Sequence, residues 1–273
     1  MITGASAGIG AAVARKLAAG GAALVLAARR KKELDEVATE ARNLGARDVL
    51  TVPADVTRRE QVIGIRDQAL ARFGRIDVWI NNAGRGITRS VLDLTDEDID
   101  EMIAVNVKSA IYGMQAAVPH FIERGEGHLI NISSFLGRVP IAGFRSVYSA
   151  AKAALNSLTA NLRMDLLAHP GVRVSLVMPG VVATDFARNV RGDARPPVNA
   201  GAPGASPMNP QTAEEVADRI VDVIQNPVAE VYTNPISAEL ARHYYADIAA
   251  FERASARAQA PGAQSEKKHD ARI

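Results

Sequence analysis

The sequence predicts an α/β fold: a single doubly wound parallel sheet, Rossmann-like, with helices on both faces. Three observations predict it. Short apolar runs of strand length alternate with amphipathic runs of helix length. The strand segments are apolar almost throughout, as in AALVLAA and HLINI, which marks strands covered on both faces. A glycine-rich turn, TGASAGIG, joins the first strand to the first helix.

The elements follow in order. Met1 to Thr3 ends a strand that runs into the glycine turn. Ile9, Val13 and Leu17 recur every four residues and predict a helix. Ala22 to Ala28 is the second strand, and Lys31 to Leu44 a helix that Gly45 ends. Asp48 to Ala54 is a third strand, and Arg58 to Phe73 a helix closed by Gly74. Ile76 to Asn81 is a fourth strand. Asp96 to Arg124 reads as one bent helix or two joined. His128 to Ile132 is the fifth strand, Val147 to Ala168 a helix with a leucine stripe, and Val172 to Met178 the sixth strand. After a stretch dense in Pro, Gly and Ala, Thr212 to Gln225 is helical and Glu230 to Thr233 a last strand. Ala238 to Arg253 is a C-terminal helix. Residues 1–254 therefore form one domain, with 185–210 a lid over the substrate and 255–273 a mobile tail with little to bury.

A chain of 273 residues is long enough to bury a large core, and 48% hydrophobic with 23% charged residues excludes wholesale disorder. No run reaches the ~18–20 apolar residues of a membrane span, and the first residues lack the pattern of a signal peptide. With no cysteine there is no disulfide framework or thiolate site, consistent with a cytoplasmic setting. The 32 basic and 30 acidic residues balance, so no nucleic-acid partner is expected.

In a parallel sheet, ligands bind beyond the carboxyl ends of the strands, so function belongs to the strand-to-helix loops. Gly4, Gly8 and Gly10 let backbone approach a phosphate at a helix N-terminus. The spacing is GxxxGxG, and a tight structural turn is the plainer alternative. Strand two ends without the carboxylate that grips a ribose 2′-hydroxyl, and Arg29, Arg30, Lys31 and Lys32 follow. Cations at a helix N-terminus are disfavoured, so an anion such as the 2′-phosphate of NADP(H) fits there. A solvated charged turn is the alternative.

Asp55 suits either an adenine amino group or a helix cap. In Asn81-Asn82-Ala83-Gly84, a buried amide can brace neighbouring strands. Tyr148 and Lys152 stand four apart, on one helix face. An ammonium there favours the phenolate and lowers the phenol pKa, making a general acid/base; a cation–aromatic surface pair is the alternative. Ser133 and Ser134 end strand five with a hydroxyl for a substrate oxygen, and Asn106 either holds a water or satisfies itself.

TGASAGIG, NNAG, VNVKSAIYGM, HLINISS, YSAAKAAL and VMPGVVAT stand in an order and at intervals that resemble the short-chain dehydrogenase/reductase family, over about residues 1–233. The resemblance implies strand order 3-2-1-4-5-6-7. It implies a diphosphate loop at Gly4, Gly8 and Gly10 with Thr3, Ser6 and Ile9 around it. Asp55 and Val56 match the adenine pair, and Asn82, Ala83 and Gly84 line the cofactor. Asn106, Ser134, Tyr148 and Lys152 match the catalytic four. Pro179, Gly180, Val182 and Thr184 fall in the segment that meets the nicotinamide, and Arg29, with Arg30 beside it, matches the basic residue of NADP(H)-preferring members. The resemblance further implies a homodimer or homotetramer.

Three departures stand out. Ser134 lies one residue farther before Tyr148 than is common, with the extra residue expected in Ile141 to Ser146. Ala7 replaces a basic residue some NADP(H) members carry. Only Met1, Ile2 and Thr3 precede the glycine turn, where a central strand usually runs ~5–6 residues, so the natural protein is expected to begin upstream. The expected activity is hydride transfer between NADP(H) and a carbonyl or secondary alcohol. A non-catalytic NADP(H) sensor, and a dehydratase or epimerase on the same scaffold, are the alternatives. Phe135, Val139 and Phe144 are expected to line the substrate pocket.

Overall fold

A computed structural model describes residues 1–184, 191–192 and 209–259. Seven strands form one parallel sheet: β1 (Ile2–Thr3), β2 (Ala23–Ala28), β3 (Asp48–Pro53), β4 (Val78–Asn81), β5 (Gly127–Ile132), β6 (Val172–Met178) and β7 (Glu230–Tyr232). Numbered within this sheet, the order is β3-β2-β1-β4-β5-β6-β7. Four two-residue strands outside it (Ile87–Thr88 with Arg191–Gly192, Val182–Ala183 with Gln211–Thr212) shift the later numbers when every strand is counted.

The strands are apolar because both faces are covered. Along β2, Leu24 and Leu26 pack toward α1 (Gly8–Ala19), α2 (Lys31–Asn43) and α7 (Ala213–Gln225). Val25 and Ala27 alternate to the opposite face. That face carries α3 (Arg59–Phe73), α5 (Ser109–Arg124) and α6 (Ser146–Asp165), with Trp79, Phe121, Leu129 and Leu155 between. The predicted leucine stripe of α6 is on this face, but the helix stops at Asp165, short of the expected Ala168, and Leu166 takes the cap position.

Two expectations are refined. The long helical segment is α4 (Asp96–Ile103) and α5 joined through a π-helical turn at Ala104–Lys108. The C-terminal helix is two, α8 (Ser237–Ala246) and α9 (Ile248–Gln259), broken at Asp247. α9 therefore extends five residues into the stretch expected to be a tail, because Phe251 packs with Tyr244 and anchors the helix. Residues 260–273, and all of the expected lid except 191–192 and 209–210, lie outside the described residues.

Candidate active site

The β1–α1 turn supplies the first wall. Gly4 (φ +66°) and Gly8 (φ +53°) adopt left-handed conformations natural only to glycine. Gly10 is glycine for space: a Cβ would lie 2.5 Å from the Gly4 carbonyl oxygen and 2.6 Å from Asn82 Nδ2. α1 has Ala7 at its N-cap, with no side-chain cap and no acid in its first turn. Its N–H groups are thus available to a diphosphate, and the turn fits a dinucleotide.

The loop is held from behind. Asn82 Nδ2 donates to the carbonyls of Thr3 (2.9 Å) and Gly4 (3.3 Å). Thr3 Oγ1 accepts from the Asn82 and Ala83 N–H groups at 3.0 and 3.1 Å. The Thr3 side chain is therefore a buried brace turned away from the cleft. Ile9, in the first turn of α1, packs on the core, and Ser6 Oγ accepts from Arg30 Nη2 at 3.2 Å. Arg29 is exposed next to it.

Asp55 Oδ1 accepts from Thr57 N–H (3.0 Å) and Oγ1 (2.8 Å). It ties its own turn and does not cap α3, whose cap residue is Arg58. Val56 beside it is buried. Asn81 is a brace: its amide donates to Asn131 Oδ1 (2.9 Å) and the Ala110 carbonyl (3.2 Å), and its oxygen accepts from Trp79 Nε1 (2.8 Å).

The second wall is α6 and the end of β5. The two serines there part ways. Ser133 Oγ donates to Asn156 Oδ1 at 2.6 Å and is committed to α6. Ser134 Oγ accepts from Leu136 N–H at 3.2 Å and shares a hydrogen bond with Tyr148. Lys152 Nζ donates to the Ile132 carbonyl at 2.9 Å and lies 5.8 Å from the Tyr148 ring centroid. Asn106, in the π turn, donates to the carbonyls of Arg85 (2.9 Å) and Met102 (3.1 Å) and accepts from Arg85 N–H (3.2 Å). Its side chain is satisfied by protein. A Cβ on Gly84 would sit 3.0 Å from Asn106 Oδ1 and 3.5 Å from Lys152 Nζ, so the Asn82–Gly84 turn meets these residues directly.

Electrostatics overturn one expectation. Burial raises the Tyr148 phenol above its ordinary value, more than the Ser134 hydrogen bond and the Arg145 charge lower it. Burial also brings Lys152 down to about 8. Lys152 was expected to depress the phenol. Its ammonium is instead directed to the Ile132 carbonyl, and the cation acting on Tyr148 is Arg145.

The segment after β6 covers the glycine turn. Pro179 accepts from Phe135 N–H (2.8 Å), Gly180 follows half-buried, and Val182–Ala183 pairs with Gln211–Thr212. A Cβ on Gly8 would lie 3.5 Å from Thr184 Cβ. Phe135 and Val139, expected in a pocket, are fully buried beneath α8 and α9 with Ala241 and Tyr232, because those helices cover them. Phe144 is half-buried, with the Arg145 guanidinium 5.6 Å from its ring centroid.

A family profile described as short chain dehydrogenase matches residues 1–195. The chain belongs to the short-chain dehydrogenase/reductase family. Within this family it is 40% identical over 184 residues to an uncharacterized oxidoreductase of Staphylococcus aureus, covering 67% of this chain and 78% of that one. A short-chain dehydrogenase/reductase from Burkholderia phymatum, solved with NAD, matches with a TM-score of 0.80 and 29% identity over 91% of this chain and 93% of that one. A metagenomic short-chain oxidoreductase solved with NADP matches with a TM-score of 0.68 and 32% identity over 85% and 93%. Among the described residues, no helix of this short-chain dehydrogenase is long and apolar enough to cross a membrane, and no His/Asp/Glu cluster suits a metal. Sequence reading missed Asn156, which holds Ser133, and Arg145 beside Tyr148. The signal for Arg145 was its place three residues before Tyr148, on the same helical face.

Proposed function

We propose that this short-chain dehydrogenase is an NADP(H)-dependent oxidoreductase acting on a carbonyl or secondary alcohol, with Tyr148 as general acid/base. The hydrogen bond shared by Ser134 and Tyr148 carries the reading, because it brings two hydroxyls side by side. NADP(H), when bound, supplies or accepts the hydride. Gly4, Gly8 and Gly10 would hold its diphosphate, Ser6, Arg29 and Arg30 its 2′-phosphate, and Asp55 and Val56 its adenine. Asn82, Ala83 and Gly84 would line it, and Pro179, Gly180, Val182 and Thr184 would close over the nicotinamide end.

Ser134 orients the substrate oxygen. Tyr148 gives that oxygen a proton in reduction and takes it back in oxidation. A phenol kept neutral by burial is already in the acid form that reduction needs. Lys152 holds a positive charge behind the phenol and reaches the Gly84 side of the cleft. Asn106 fixes the π turn against Arg85 and so positions the wall rather than touching substrate. The reading includes a cytoplasmic enzyme that assembles, as the family resemblance implies, into a homodimer or homotetramer. NADPH oxidation by the purified protein across ketones, aldehydes and quinones tests the reading. Consumption with any of them supports it, and tight NADPH binding without consumption favours the sensor.

A further inference from the structure

Arg145 is placed where a cation is costly. It sits at the N-cap of α6, whose positive dipole end disfavours positive charge. The first turn of α6 holds no acid to compensate. The guanidinium is half-buried, and desolvation lowers its pKa. Its bonding is also thin. Nη1 donates to the Ile87 carbonyl at 3.1 Å, and the group lies 5.6 Å from the centre of the Phe144 ring.

The neighbouring arginines differ. Arg85 is paired with Glu101, Arg89 with Asp98 at 3.2 Å, and Arg138 with Glu230. Among the described residues Arg145 has no carboxylate partner, and it is the one of these four whose charge acts on Tyr148. Its anchor, Ile87, packs with Val147 and Tyr148 in one apolar cluster. A desolvated cation at a positive helix end beside the reacting phenol is stabilised when an anion arrives.

Resting on the oxidoreductase reading, we propose that the substrate carries a carboxylate and that Arg145 binds it: the natural substrate is an oxo acid or the matching hydroxy acid. Arg145 holds the acid group while Ser134 and Tyr148 hold the carbonyl oxygen. One molecule thus answers both the cation and the hydroxyl pair.

The test uses matched acids and methyl esters: 2-oxobutanoate, benzoylformate and 4-oxopentanoate, each with its ester. Binding is measured by calorimetry on the NADPH-saturated Tyr148→Phe protein, which does not turn substrate over. NADPH consumption is measured in parallel on the wild type. At least one acid is expected to bind about tenfold or more tighter than its ester, as a charge-assisted hydrogen bond implies. Adding Arg145→Ala should bring that ratio near one, and Arg145→Lys should keep part of it. Equal binding of acid and ester, no binding of any acid, or a preference that survives Arg145→Ala overturns the proposal. A purely structural Arg145 would lower acid and ester binding together and leave the ratio intact, which also overturns it. If the acid preference holds but the wild type consumes no NADPH, the anion site stands and the oxidoreductase reading falls.

Discussion

Lys152 lies 5.8 Å from the centre of the Tyr148 ring, yet its ammonium donates to the carbonyl of Ile132. The charge is buried and answered by a dipole rather than by a carboxylate. A buried ammonium held so weakly destabilises the fold, which is why its pKa falls to about 8.

The sign of the stability effect follows. Below pH 8 lysine is charged in both folded and unfolded chains, and the penalty is fully present. Between pH 8 and the ordinary lysine value the folded chain has released its proton while the unfolded chain has not. Stability therefore rises with pH across that window. Lys152→Met should raise the thermal midpoint at pH 7, and the advantage over wild type should shrink by pH 10. Calorimetry at both pH values checks it; a gap that does not change with pH counts against a buried charged lysine.

Tyr148→Phe removes one hydroxyl from a ring that stays packed against Ile87 and Met102. Turnover should fall to no more than a few per cent while NADPH affinity changes little. Burial keeps the phenol neutral, so carbonyl reduction should hold across neutral pH. Alcohol oxidation, which needs the phenolate, should climb as pH rises. Steady-state rates in both directions over a pH series read this out.

For the cofactor, NADPH should bind about 10–150-fold more tightly than NADH, the value of one charge-assisted contact. Replacing Arg29 and Arg30 together with alanine should remove most of the difference. Arg30 matters as well as Arg29 because its guanidinium reaches Ser6 inside the glycine turn. Fluorescence titration with both cofactors decides; equal affinities for the wild type would refute the preference.

Asn81 joins β4 to β5 and α5 through two buried hydrogen bonds and ties back to Trp79 of its own strand through a third. Asn81→Ala leaves the Trp79 indole N–H and the Asn131 side-chain Oδ1 without that partner. The cost should be about 2–6 kcal/mol, from ~1–3 kcal/mol for each of the two orphaned groups. Urea unfolding followed by the fluorescence of Trp79 measures it directly, since that ring touches the lesion.

The sheet was legible because its strands are apolar on both faces and its helices repeat every three to four residues. Asn82 was legible as part of a turn, and the bracing role foreseen for a buried asparagine falls to Asn81 and Asn82 alike. What sequence could not carry was direction. Thr3 sits in the right motif, but its hydroxyl points inward. Phe135 and Val139 follow the site serine, but α8 and α9, more than ninety residues later, bury them. The effect of Lys152 on Tyr148 was inferred from spacing alone, whereas burial and a competing carbonyl decide it. The π turn at Ala104–Lys108 left no periodicity signal, because one extra residue is absorbed within an otherwise helical run.

The amide of Asn82 on the carbonyls of Thr3 and Gly4 also sets an order of assembly. As the chain leaves the ribosome, β1 can pair with β2 once residue 28 is out, but its other flank waits for Ile80. The glycine turn lies within residues 3–10, yet its support arrives more than seventy residues later. Closing so long a loop is slow. A nascent chain halted before Asn82 should therefore expose an unsupported turn and an open sheet edge, a state open to chaperones.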